Sequence, residues 1–316
     1  MKLRTILIMA AVLAIGMVVS TSVPAATEFV VFELRLPRAA LAAITGAAFG
    51  LGGALIQAVT RNPLASPDVI GITQGAGLAA TVALTTGLRD GGSAGGISIG
   101  AFAVAPAAMA GGLLAAACVF ALGAKKGFSA NRFVLAGVAV AFALRAGIEV
   151  VLTSAETIDA QRAQIWLIGS LNGRGYEEAI PVGTVLLGAL PVLLWAAWAL
   201  RTTSLDDDVA RGIGVRPVAR RYGLAAVGAV LAAAATAQVG AVDFVALVAP
   251  QISRRLARAE RPPLVASALA GAALVVLADF AGRWILAPTQ LPAGVLTAAI
   301  GAPYLVYLLL RSRGRT

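Results

Sequence analysis

The chain has 316 residues, 59% of them hydrophobic and 13% charged, with a mean hydropathy of +0.88 and a formal net charge of +10. A water-soluble domain carries about twice that share of charged residues, so the composition excludes an ordinary soluble fold. With no histidine and a single cysteine, it also excludes zinc sites, histidine-ligated haem and an internal disulfide.

A helix needs about 20 apolar residues to cross a bilayer core. In chain order, clear runs of that kind cover residues 6–23, 39–59, 97–123, 133–153, 180–200, 264–281 and 292–310. Two weaker runs, 69–87 and 224–240, are diluted by Gly, Thr and Gln, and a short apolar piece covers 244–252. Together they predict an all-α polytopic membrane protein with about ten transmembrane helices, some short or broken. Spans at that density leave no room for a soluble domain, so residues 1–316 read as one transmembrane domain with an inner loop at about 204–221. The first run has two readings. Met1-Lys2-Leu3-Arg4, an apolar stretch and Val23-Pro24-Ala25-Ala26 also fit a cleaved leader, but further spans follow at once and favour an uncleaved helix.

Charge placement gives the threading. With both termini in the cytoplasm and ten crossings, 18 of the 25 basic residues fall in inner segments. That is the bias of the positive-inside rule, so the net positive charge is a topology signal and not a nucleic-acid surface. Cys118 lies in the middle of an apolar run and reads as a packing residue. No G-x-x-x-x-G-K-[ST] phosphate loop and no nucleophile–base constellation is present. The chain reads as a non-enzyme; if ATP drives it, another chain performs the hydrolysis.

Several residues stand out against this background. Gly46, Gly50 and Gly53, at four- and three-residue spacing, predict close helix packing within the subunit. Residues 61–71, RNPLASPDVIG, hold two prolines and cannot continue a helix. Arg35 and Arg38 flank a Leu-Pro pair at the outer entrance of the second span, where they anchor at the interface or offer cationic forks. Arg145 and Glu149 stand four residues apart within the fifth span. They either pair with each other or line a wet path.

The motifs, taken together, resemble those of the FecCD-type permeases, the membrane subunits of bacterial importers for iron–siderophore complexes and cobalamin. The resemblance is carried by RNPLASPDVIGITQGAG at 61–77, by Arg35-Leu36-Pro37-Arg38, and by Gly46-Ala47-Ala48-Phe49-Gly50. It continues through Gly169-Ser170-Leu171-Asn172-Gly173, FVALVAPQISRR at 244–255, Ala278-Asp279 and QLPAGVLTAAIGAP at 290–303.

What this resemblance implies is a cobalamin-permease-like fold that binds no cofactor itself, while a partner uses ATP. It implies two ATPase subunits, a second permease subunit (a paralogue more than a second copy), a substrate-binding protein and a lipid membrane, the inner one, as surroundings. Arg35, Arg38 and Arg283 would dock the binding protein, although Arg283 can instead pair with Asp279 one helical turn away. Leu205, Asp206, Asp207, Asp208, Ala210, Gly212, Gly214 and Val215 would form the ATPase coupling segment, with Asp206 and Ile213 departing from the family pattern. Arg145, Glu149 and Asn172 would belong to the translocation path or its gate. No metal ligands are expected. Glu33 to Arg38, Ser66-Pro67-Asp68 and 169–173 look closest to enterobactin-type permeases, implying a catecholate ferric siderophore; cobalamin and haem permeases share most of the motifs. An ion-coupled secondary transporter is the competing class, since it too would use mid-membrane charges and broken helices.

Overall fold

The computed structural model describes residues 2–22, 27–86, 99–124, 129–202, 212 and 216–313. All regular structure among these residues is helical. That is what an apolar surrounding demands, because a helix satisfies its amides within its own segment. Eleven helices follow in order: α1 Lys2–Ser22, α2 Leu36–Thr60, α3 Ile72–Thr85, α4 Ile99–Ala124, α5 Ala130–Ser154 and α6 Thr157–Ile168, then α7 Tyr176–Thr202, α8 Pro217–Val239, α9 Val245–Leu256, α10 Leu264–Trp284 and α11 Ala293–Arg313.

Seven of these are long and apolar enough to cross a membrane: α1, α2 with its lead-in, α4, α5, α7, α8 and α10. The three remaining apolar stretches predicted from sequence hold the shorter helices α3, α9 and α11. The eleventh, α6, carries Asp159 and Arg162 in an exposed ion pair and falls where the sequence predicts only a connector. Boundaries also move. Helix α8 starts at Pro217, seven residues before the apolar run, because proline's missing N–H costs nothing in a first turn. A π-helical segment, Val30–Arg35, leads into α2, and Pro37 follows in its first turn.

Helix α2 is the centre of the packing. It lies against α7, α8, α9 and α10, and most of its residues are buried. Its glycines explain the closeness. A Cβ on Gly46 would collide with the Gly271 carbonyl, one on Gly50 with Ser267, and one on Gly53 with Ala246. The predicted small-residue packing therefore lies inside the subunit, against α10 and α9. Between apolar helices in lipid, backbone approach of this kind supplies the attraction that water exclusion gives a soluble core. Cys118 does not pack as predicted: it is exposed on the surface of α4. An apolar environment accepts a thiol on that face as readily as a core does.

Two helices are too short to cross. At a rise of about 1.5 Å per residue, the 14 residues of α3 and the 12 of α9 reach only part of the way through a bilayer core of about 30 Å. Each starts at a break. Helix α2 ends at Arg61 in a left-handed conformation, the chain runs through Pro63 and Pro67, and Gly71 (φ 86°) opens α3. Helix α8 ends at Gly240 (φ 77°), and Phe244 (φ 66°) opens α9. These two breaks meet, so both half-helices present their amino termini to one place.

Candidate functional site

At the Arg38 end of α2, one carboxylate gathers two arginines. Arg38 donates from Nε to both Asp279 oxygens at 2.9 and 3.0 Å and from Nη2 to Oδ1 at 2.7 Å. Its Nη1 donates to Asn172 Oδ1 at 3.2 Å and Gln290 Oε1 at 3.1 Å. Asp279 is only 2% exposed. Arg283 approaches the same carboxylate at 3.4 Å through Nε. Arg283 also donates to the Ser20 carbonyl, and Arg35 to that of Thr21. Both thereby satisfy carbonyls in the last turn of α1, where a cation also suits the helix dipole.

The sequence thus brings Arg35, Arg38, Arg283 and Asn172 to one open bowl of about 570 Å³, and the structure adds Arg174 and Gln290 to its wall. Roles within the bowl divide. Arg38 is buried and its guanidinium is committed to Asp279, so it braces α2 against α10. Arg283 makes the pair with Asp279 that the sequence offered as its alternative. Burial lowers the pKa of Arg174, with the Glu178 carboxylate opposing the shift.

The second site lies where the two half-helices begin. Asp68 accepts a hydrogen bond from Thr73 Oγ1 at 2.7 Å and another from the Phe244 amide. Its carboxylate therefore sits at the start of both α3 and α9. Asp243 lies beside it, within electrostatic reach of Arg145. A cavity of about 440 Å³ opens here, walled by Thr73, Gln74, Arg145, Glu149, Gln164 and Asp243.

Arg145 and Glu149 do share a face, as their spacing predicts, and both line this cavity. No ion pair joins them among the described residues; the acid opposite Arg145 is Asp243, 98 positions along the chain. Asp243 is the residue that sequence reasoning passed over; Asp68 stood in the 61–71 motif, but its place beside Asp243 was not foreseen. A signal for Asp243 existed, because it is a lone acid inside an otherwise apolar stretch, and ionisable residues so placed face a partner or a wet cavity. Asn172 lies in the bowl instead. The predicted coupling segment, 205–215, lies outside the described residues apart from Gly212, which is exposed.

Residues 2–311 match the model of the FecCD transport family. The chain belongs to the FecCD family. It is 40% identical to the achromobactin transport system permease protein of Dickeya dadantii over 93% of this chain and 82% of that one. It is 35% identical to the ferric enterobactin transport system permease protein of Escherichia coli, over 91% of this chain and 84% of that one. An inward-facing metal-chelate type ABC transporter is a structural neighbour at 26% identity and a TM-score of 0.85, covering 98% of this chain and 99% of that one. This FecCD member is accordingly a multi-pass permease subunit of an ATP-binding-cassette importer, the component that works with ATPase and substrate-binding proteins. The secondary-transporter reading falls with that finding.

Proposed function

We propose that this permease carries a ferric siderophore inward from a substrate-binding protein, across the cytoplasmic membrane, along a path lined by α5. Both termini lie in the cytoplasm. A second permease subunit, a paralogue rather than a second copy, completes the path, and two ATPase chains bind and hydrolyse the ATP at the 205–215 side.

The observation that carries this reading is the exposure of Arg145 and Glu149. They lie in the second half of a 25-residue apolar helix, they are exposed, and they open onto the 440 Å³ cavity. Ionisable side chains at that depth are too costly to face lipid. In this reading a partner subunit covers them and closes the cavity, whose wall joins these polar groups to Ile148, Leu152 and Leu167. On the Arg38 side, Arg35, Arg174 and Arg283 meet acidic residues of a binding protein in this reading, with Arg38 holding the bowl in shape.

Two relatives frame the cargo. The enterobactin-like motifs make a catecholate chelate the first to test, and the higher identity to the achromobactin permease makes achromobactin the competitor. The test is uptake of radiolabelled ferric chelates into proteoliposomes holding both permeases and the ATPase, with the binding protein outside. ATP-dependent uptake of ferric enterobactin over ferric achromobactin and cobalamin is expected. Preference for either of the others removes the catecholate reading, and uptake without ATP removes the whole proposal.

A further inference from the structure

The break between α2 and α3 runs back alongside α9 and is pinned to it at two points. Near the end of α2, Gln251 Nε2 donates to the Pro63 carbonyl at 3.1 Å and to Gln57 Oε1 at 2.6 Å. Gln57 Nε2 in turn donates to the Leu247 carbonyl at 3.0 Å. Further along the break, Asp68 accepts the amide of Phe244, the residue that opens α9. Residues 244 and 251 are separated by about 10 Å of helix rise. A segment held at both ends of that distance cannot swing away from α9 by itself.

The other side of the break rests on α5 with no side chain between them. A Cβ on Gly137 would come within 2.8 Å of the Ile70 Cα, and one on Gly71 within 3.3 Å of the Ala141 Cα. Arg145 and Glu149 follow about one and two turns after Ala141 on the same helix. Asp243, next to Phe244, is within electrostatic reach of Arg145, so the entry of α9 also faces α5 directly. Beyond α9, Phe244 packs against α11, where a Cβ on Gly301 would collide with its side chain.

Asp68 is the node of this arrangement. One carboxyl group has two oxygens, enough to hold two elements at once. Thr73 Oγ1, in the first turn of α3, donates to its Oδ1 at 2.7 Å, and the Phe244 amide supplies the second bond. The same side chain thereby joins the start of α3, the start of α9 and the segment that backs α5.

We infer that Asp68 is a positioning residue of the transport cycle. It makes the 61–71 break and α9 one moving part, which carries movement at the Arg254 end of α9 to the Arg145–Glu149 wall. The inference rests on the reading that the path runs along α5. Coupling over such a distance is carried by packed and hydrogen-bonded groups with two arrangements. Here the last contact, onto α5, is backbone against backbone, and close-packed main chain transmits strain with little slack.

The test uses the whole importer in proteoliposomes, with both permeases, the ATPase and the binding protein, and with ferric enterobactin and ferric achromobactin as probes. Uptake and ATP hydrolysis are read together. Asp68→Ala is expected to assemble and to hydrolyse ATP as wild type does, while uptake per ATP falls at least tenfold, since losing both bonds is worth roughly tenfold or more in an equilibrium. Asp68→Asn, which keeps one acceptor oxygen, and Thr73→Val, which spares the Phe244 bond, should each retain more of that ratio. A residue that only caps a helix would lower assembly, uptake and hydrolysis in proportion; an unchanged ratio of uptake to ATP in Asp68→Ala therefore overturns the proposal. A loss in Thr73→Val equal to that in Asp68→Ala overturns it too, because the link to α9 would then contribute nothing. If Asp68→Ala does not assemble, the ratio is read in Asp68→Asn, where a wild-type value is the overturning result. Absence of ATP-dependent uptake in wild type strikes the transport reading itself, which is distinct from an unchanged ratio in a working importer.

Discussion

Helices α2 and α5 have nearly the same length and mean hydropathy, yet they occupy opposite situations. In the most apolar stretch of the α2 segment 78% of residues are buried within the chain, against 11% for α5. What separates them is side-chain size and the placement of charge. Gly46, Gly50, Gly52 and Gly53 let three neighbours reach the α2 backbone, and its one charge, Arg38, is buried against Asp279. Helix α5 instead presents Leu135, Phe142 and Val150 outward, 65–70% exposed, with Arg145 and Glu149 among them. Hydropathy says that both helices can cross a membrane. Only the small residues and the unsatisfied charges say what each one faces.

The sharpest break of this comparison is to give α2 the side chains of α5. Gly53→Leu forces a branched side chain into the space of the Ala246 carbonyl, where backbone cannot yield. Overpacking a tight core costs about 1–3 kcal/mol when neighbours can shift, and more when they are main chain. The expected result is no monodisperse protein on size-exclusion chromatography in detergent. Gly183→Ala on α7, which meets nothing within 4 Å, should stay within about 0.5 kcal/mol of wild type. Equal behaviour of the two variants would refute the assignment of α2 as the packed centre.

Next in size is the ion pair. Asp279→Ala strands Arg38 and leaves Arg283 without its acid, and removing one partner of a buried pair costs about 3–5 kcal/mol. Thermal or denaturant unfolding should show that loss. In the double variant Arg38→Ala/Asp279→Ala part of it should return, because Arg38 is no longer stranded and only Arg283 is left without its acid. If Asp279→Ala costs no more than a surface substitution, the bowl owes its shape to something else.

Much of this fold was legible in the sequence, and the misses share a cause. Runs of apolar residues locate every long helix, because the bilayer's thickness acts on consecutive residues. The RNPLASP break announced itself through two prolines. What stayed hidden joins residues far apart in the chain. The Arg283–Asp279 pair is visible at i,i+4, but Arg38 reaches the same carboxylate across 241 positions. Asp68 meets the Phe244 amide only because two half-helices start at one point, which neither stretch reveals by itself. Helix α6 was missed because its charged, amphipathic sequence gives no hydropathy peak, though Trp166 buries it against Ala76, Ala80, Ala108 and Ala237.

The smallest effect on stability belongs to α5, and there it separates two kinds of charge. Arg145→Leu should insert and fold as well as wild type or slightly better, since an arginine at a helix centre opposes membrane insertion by about 2.5–3.5 kcal/mol. Arg38→Leu, by the same hydropathy gain, should instead destabilise, because Asp279 loses its bidentate partner. Transport should order the other way for Arg145. Losing the cation that faces Asp243 across the cavity leaves Glu149 and Asp243 unopposed on the wall, which repels an anionic chelate and weakens the fit of a second permease over α5. Uptake should fall at least tenfold, and Arg145→Lys should restore part of it by keeping the charge without the fork. Cysteines placed at Phe142 or Val150 should cross-link to the partner permease in the assembled importer. Wild-type uptake by Arg145→Leu, together with no cross-linking from either cysteine, would mean that lipid covers this face of α5 and that the path runs elsewhere.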